Sequence, residues 1–210
     1  MNREQMVELW ERHTEYEFAL KDANLAVSTM VDDAIVMHLP TMSGGFGKEN
    51  LRHYYADVFI PGIPADTTSE PVARSVGDSF LVDEFIMRMT HSQDIPFLLP
   101  GLAPTDKAVE VPTVVIVKFR GDLMESERLY WDQAAVLSQL GLIDQSLPFA
   151  DVTEISGFLR DKVLAPFRRD EGAVMTTTID TTGHGAITRA LEGPAPKLDF
   201  QLPDPNSDDL

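Results

Sequence analysis

The sequence contains no cysteine. That single absence excludes disulfides, thiolate nucleophiles, iron–sulfur clusters and cysteine-ligated zinc. Positive charge is also scarce: 17 Lys and Arg stand against 34 Asp and Glu, a formal net charge of -17 over 210 residues. Such a chain repels a phosphate backbone and an anionic lipid surface, so neither nucleic acid nor a membrane is expected as a partner. No apolar run approaches the roughly 20 residues that span a bilayer. Residues Met1 to Trp10 are polar and charged rather than basic and then apolar, so no secretory signal is expected there. A cytoplasmic location is the expectation that follows.

What is present is an ordinary globular composition, 43% hydrophobic and 24% charged, long enough for one sizeable core. From Arg3 to Met30 the apolar positions Met6, Leu9, Trp10, Tyr16, Leu20, Leu25 and Val27 predict one long helix or two consecutive ones. Ala34 to Leu39 reads as a first strand closed by Pro40, and residues 41–47 as a glycine-bearing loop before a helix from Lys48 to Phe59. That loop lacks the spacing of a phosphate-binding loop. Four strands follow at Pro71–Val76, Phe80–Thr90, Ala108–Phe119 and Leu123–Trp131. Between the second and third of these, the apolar segment within Ser92–Lys107 has two readings, a lid over a cavity mouth or a loop packed onto its own core.

A short helix is expected over Ala134–Leu142, and beyond Asp144 the character changes. A modest helical stretch, Thr153–Leu164, leads into a Thr-rich run and a Pro- and Asp-rich end. Two regions are therefore expected: residues 1–145 as the folded domain and 146–210 as an extension without a core of its own.

Strict alternation along Leu123–Trp131 places Arg128, Tyr130 and Asp132 together on one face, a guanidinium, a phenol and a carboxylate. Leu123, Glu125, Glu127, Leu129 and Trp131 share the other. The polar trio reads either as a site or as a solvated face with an Arg–Asp pair. The five histidines, His13, His38, His53, His91 and His184, show no metal-ligand spacing, so no metal and no cofactor is expected. His38 and His91 each end a predicted strand, where a cavity mouth is expected. His13 and Glu17 form an i,i+4 helix pair that reads as structural.

Three blocks carry a resemblance: Thr90-His91, Pro104 to Val111, and Asp132-Gln133-Ala134-Ala135-Val136-Leu137-Ser138-Gln139-Leu140-Gly141. With the element order, they resemble SnoaL-like, polyketide-cyclase-type proteins of the nuclear transport factor 2-like superfamily. The resemblance covers about Trp10 to Asp144. It implies an α+β fold, a cone-shaped curved antiparallel sheet packed on N-terminal helices. Asp132 is similar to the aspartate that serves those cyclases as general acid/base.

The resemblance implies a cofactor-independent lyase, isomerase or cyclase moving protons on an apolar, carbonyl-containing small molecule. Asp132 would be the shuttle, its pKa raised by an apolar surround. Arg128 would face a developing enolate oxygen with Tyr130 or His91, His38 would orient the substrate or act as second acid, and Tyr55 would help bind it. Alternatives are a non-catalytic binding module for a small molecule or partner chain, and an epoxide-hydrolase-like enzyme. An Asp132 exposed on the outer face would count against the enzyme readings together. No Gly-x-Ser-x-Gly elbow is present, which excludes α/β-hydrolase chemistry. The apolar row Val109, Val111, Thr113, Val115, Val117 and Phe119 suggests a second buried sheet face, and hence a homodimer.

Overall fold

The first helix forms because its start is capped and one face is apolar. In the computed structural model, which describes residues 1–143, 152–160, 175–179 and 187–191, Asn2 and Gln5 make a reciprocal capping box at 2.9 Å in each direction. Helix α1 (Arg3–Thr14) then buries Met6, Leu9, Trp10 and His13 at i, i+3, i+4 and i+7. It runs into a π-helical turn, Glu15–Ala19, and breaks at Lys21, whose φ is 53°. Helix α2 (Ala23–Ser28) restarts under an Asp22 cap. The predicted stretch is thus two helices with a left-handed break between them.

Strand β1 (Met30–His38) begins earlier than predicted, and the predicted glycine loop contains a short strand, β2 (Ser43–Phe46), paired antiparallel to β1. Gly44 sits at φ 151° with Met37 as its register partner, and a Cβ there would lie 2.1 Å from the Val36 carbonyl oxygen. That clash is with backbone and cannot be relieved by a rotamer change. Gly44→Ala should therefore lower stability by roughly 2–4 kcal/mol in chemical denaturation. A loss under about 0.5 kcal/mol would show that the hairpin shifts freely.

Helix α3 (Lys48–Tyr54) ends in a second π-helical turn, Tyr55–Phe59. The meander then follows as β3 (Thr68–Val76), β4 (Phe80–Thr90), β5 (Ala108–Arg120) and β6 (Leu123–Trp131). Together the strands make one curved six-stranded sheet in the order β2-β1-β6-β5-β4-β3. The sheet is antiparallel as expected except in one place, where β1 lies parallel to β6. No hairpin joins those two strands. The chain returns to β1 only after α3 and the whole meander, a long route that permits the parallel approach.

The row Val109, Val111, Thr113, Val115, Val117 and Phe119 is buried throughout. It is the inner face of β5, packed with Met6, Leu9 and Trp10 of α1 and Leu51 of α3 in one core. The predicted extra apolar face is therefore the core itself, and that row carries no argument for a dimer. Helix α4 (Gln133–Gln139) and helix α5 (Val152–Phe158) both pack against β5. Beyond α5, Arg160 pairs with Glu70 at 3.1 Å and Glu110 at 2.8 Å.

The chain divides into two compact units, Met1–Gln145 with Phe149–Phe167, and Ser146–Pro148 with Arg168–Leu210. Within the second, β7 (Met175–Ile179) and β8 (Ile187–Leu191) form an antiparallel hairpin. The expectation that this region lacks a core falls otherwise on residues outside the described ones. Among the described residues no helix is long and apolar enough to cross a membrane.

Candidate active site

Between the helices and the inner face of the sheet lies a cavity of about 480 Å³. Its walls are mainly apolar and carry six aromatic rings, Trp10, Phe18, Phe59, Phe85, Phe97 and Trp131. The segment that read as either lid or packed loop is a fixed wall. Ile95, Leu98 and Leu99 are buried, and the backbone carbonyls of Phe97 and Leu98 accept hydrogen bonds from Thr41 Oγ1 at 2.7 Å and Gln133 Nε2 at 3.0 Å.

Strand β6 supplies Glu127, Leu129 and Trp131 to this cavity. The reason is a register shift. Lys118 pairs with Ser126 but Phe119 with Met124, leaving Glu125 as the extra residue of a bulge. Past the bulge the inward face is Glu127, Leu129, Trp131, opposite Val117, Val115 and Thr113. Arg128 and Tyr130 therefore point outward and are exposed, Tyr130 to 42%.

Asp132 is exposed as well. Its carboxylate accepts hydrogen bonds from Ala134 N at 2.9 Å and Ala135 N at 3.1 Å, capping α4. Arg128 and Tyr130 share a face as predicted, but it is the outward one, so the predicted convergence of Arg128, Tyr130 and Asp132 on a pocket is corrected. His91 is buried but does not line the cavity. Its Nδ1 lies 3.1 Å from Thr105 Oγ1, and its backbone joins Thr105, Asp106 and Lys107, so it clamps the base of the 92–107 loop.

The residues that do meet are a buried cluster of His13, Glu17, Tyr55 and Glu127. His13 Nε2 lies 2.9 Å from Glu17 Oε1 and 3.5 Å from Glu127 Oε2. Tyr55 Oη lies 3.2 Å from His13 Nε2 and donates to Glu127 Oε2 at 3.4 Å. Behind the ring, His13 Nδ1 is 2.7 Å from Thr29 Oγ1 and 3.2 Å from Ala26 O, which fixes its orientation. Two members come from the π-helical turns, Glu17 from the first and Tyr55 from the second.

Burial works against charge on His13, but Glu17 and Glu127 together outweigh it and hold its pKa at about 10. His13 is a buried cation. Glu127 is pushed above the usual carboxylate range by burial and by the charge of Glu17, against the pull of His13. Tyr55 is held well above the usual phenol value, chiefly by burial. His13, Glu17 and Glu127 could also ligate a cation, since one ligand atom from each lies within 4.8 Å of the others.

His38, at the end of β1, is 3% exposed and lines the cavity among Tyr54, Phe59, Phe97 and Trp131, with ring centroids 5.3–6.2 Å away. Burial lowers its pKa to about 4, opposed by the charge of Glu127. Among the described residues its buried Nδ1 has no hydrogen-bond partner. A group whose pKa is depressed on folding stabilises the protein above its unfolded value, and that contribution is lost as pH falls through the folded value. Between about pH 6.5 and pH 4 the protein should thus lose on the order of 2–3 kcal/mol through His38. His38→Leu should flatten that limb in pH-dependent denaturation. An unchanged limb would place the acid sensitivity elsewhere.

On the opposite wall Asp83 is buried, accepting from Trp10 Nε1 at 2.9 Å and from Arg74 Nε and Nη2 at 3.1 and 2.8 Å. Arg74 Nη1 also donates to Glu11 at 2.7 Å. Sequence reasoning named His38 and Tyr55 and paired His13 with Glu17, but it did not place Glu127. The signal was there, a glutamate in phase with Leu129 and Trp131 on the more apolar face of a strand.

No protein-family model and no curated protein matches the sequence. Solved structures do match in fold. One is a protein from Jannaschia sp. CCS1 named as a SnoaL-like polyketide cyclase, 18% identical, TM-score 0.56, with 68% of this chain and 95% of that chain covered. Another, named likewise, is from Shewanella putrefaciens CN-32, 13% identical, TM-score 0.53, covering 66% and 87%. A third, with a ketosteroid isomerase-like fold, is from Catenulispora acidiphila DSM 44928, 13% identical, TM-score 0.50, covering 65% and 94%. The fold is the nuclear transport factor 2-like α+β fold. Within it, proteins of SnoaL-like type are among the structural neighbours.

Proposed function

We propose that this protein is an isomerase, cyclase or lyase that shifts protons on a largely apolar carbonyl compound held in the cavity, with Glu127 as acid and His38 as base. The observation that carries the reading is that two side chains with opposite protonation habits line one apolar cavity. Burial pushes the Glu127 pKa above the usual carboxylate range and lowers that of His38 to about 4. Paired groups pushed apart in this way are what acid/base assignment requires. Asp132, on which the expectation from resemblance rested, is a helix cap, so the enzyme reading now stands on these two residues alone.

The chemistry balances without a further reactant. Tyr55 and His13 both engage Glu127 Oε2, leaving Oε1 for a substrate carbonyl oxygen. His38 takes the proton from the carbon beside the carbonyl as Glu127 gives its proton to the oxygen. As Glu127 gains charge it raises the basicity of His38, so the two transfers assist each other. Return of the proton from His38 to a different carbon gives the isomer. Attack of the enol carbon on a second carbonyl of the same molecule gives the ring, that carbonyl oxygen taking the His38 proton. In both, the enol oxygen returns its proton to Glu127 and both groups are reset.

The test is deuterium exchange of 2-tetralone and similar bicyclic ketones in D2O, followed by proton NMR. Exchange should be accelerated by the protein, abolished in His38→Leu and Glu127→Leu, and untouched in Asp132→Asn. Exchange that survives both cavity substitutions, or ketones that bind without exchange, would overturn the reading and leave a binding module.

A further inference from the structure

We infer that the ligand of this cavity is an organic cation, an apolar ring system bearing a protonated or quaternary amine, seated with the amine at the mouth and the ring against the aromatic walls. The inference rests on the proposed reading of this cavity as the substrate site and adds the charge of its occupant.

The first support is the sign of the lining. Besides Glu127, the acid of the proposed reaction, four carboxylate residues line the cavity, Glu11, Glu15, Glu17 and Asp83, against one arginine, Arg74. That arginine is not free for an anion. Nε and Nη2 are spent on Asp83 and Nη1 on Glu11. His38 is kept neutral by its surroundings, and the His13 cation stands among Glu17, Glu127 and Tyr55. Among the described residues that line the cavity, an anionic ligand would meet no uncommitted cation.

The second support is the walls. Aromatic faces carry negative quadrupole density and hold cations within about 6 Å of the ring centre. Near the mouth, Phe18 stands edge-on to Phe59 at 5.9 Å, and Phe59 in turn contacts Phe97 at 4.8 Å. The third is placement. Glu11, Thr14, Glu15 and Phe18 all line the cavity, so one stripe of the first helix and its π-helical turn forms part of the rim. Glu11 is committed to Arg74, while the exposed Glu15 carboxylate has no ion-pair partner among the described residues. An ammonium between Glu15 and the Phe18 ring meets a counter-charge and a ring face together. The net charge of -17 favours approach of such a ligand at low salt.

The two tryptophans of the chain, Trp10 and Trp131, both line the cavity, so binding reads out as a change in intrinsic fluorescence. Benzyltrimethylammonium and its neutral isostere neopentylbenzene differ in little but charge, and phenylacetate supplies the opposite sign. The cation should bind about tenfold tighter than the isostere at 20 mM salt. Phenylacetate should bind weakest. In Glu15→Gln, which is outside the acid/base machinery, the preference should shrink by about threefold, while the isostere's affinity holds. Neopentylbenzene binding as well as the cation, or phenylacetate binding better, would overturn the cationic ligand and leave the ketone exchange reading intact. Failure of all three probes to bind, with ketone exchange also absent, would overturn both.

Discussion

Replacing His13 with leucine should lower the free energy of unfolding by about 3–5 kcal/mol near neutral pH, the cost of leaving a buried charge without its partner. Glu17 and Glu127 are both buried, and His13 is the cation that lies against them. Leucine restores apolar volume but leaves Glu17 with no counter-charge, so the deficit is electrostatic rather than steric. The double variant His13→Leu, Glu17→Leu should recover much of the loss, because removing a buried pair is far cheaper than breaking one. A second signature belongs to this residue. Its pKa is raised on folding, so its stabilisation is complete below the unfolded value near 6.5 and fades as pH rises through about 10. The wild-type protein should weaken along that alkaline limb, and His13→Leu should lose it. A single variant that costs less than about 1 kcal/mol would mean that the cluster relaxes around the gap.

The resemblance in the sequence was strongest where the fold needs it most, and that explains what it did and did not reveal. Its most specific block, Asp132 to Gly141, is a self-contained piece of helix carpentry. Asp132 caps the start, Gln139 exchanges hydrogen bonds with the Glu110 backbone at 2.8 and 2.9 Å, and Gly141, at φ 72°, ends the helix. The first and second blocks meet at His91 and Thr105, closing a loop. These residues pin α4 and the 92–107 wall onto the sheet, so they report the scaffold. The strand and helix order was legible because apolar periodicity and the Pro, Gly and Asp punctuation decide it locally.

The site was harder because its geometry depends on departures from regular periods. One bulged residue at Glu125 lets Met124 before it and Glu127 after it both face inward, so parity counted from the start of β6 misassigns the inner face beyond the bulge, where only the apolar Leu129 and Trp131 mark it. Two π-helical turns aim Glu17 and Tyr55 at the same point. His38 was legible because it ends a strand beside a loop and needs no such correction. His13 and Glu17 were legible as a pair, but the third and fourth members come from positions 55 and 127, and a pair on one helix does not announce partners that far along the chain.

Replacing Glu127 with glutamine should cut turnover on an exchangeable ketone by on the order of 10²–10⁴, the usual contribution of a positioned acid or base. The fold should hardly notice. Burial and the nearby Glu17 charge raise the Glu127 pKa, so glutamine replaces a group already biased towards its neutral form, with the same length and an oxygen that can still accept from Tyr55. A stability change within about 1 kcal/mol is expected. Asp132→Asn provides the contrast, because asparagine caps a helix as well as aspartate does, so both stability and exchange should stay near wild type. Asp132→Ala should cost about 1 kcal/mol through the lost cap and nothing in exchange. The pair of positions thus separates two accounts of one strand. If Asp132→Asn stops the exchange while Glu127→Gln leaves it running, the outward face does the chemistry after all. If Glu127→Gln destabilises by several kcal/mol, the carboxylate is ionised and serves His13 as a structural counter-charge, and the proton has to come from elsewhere in the cavity.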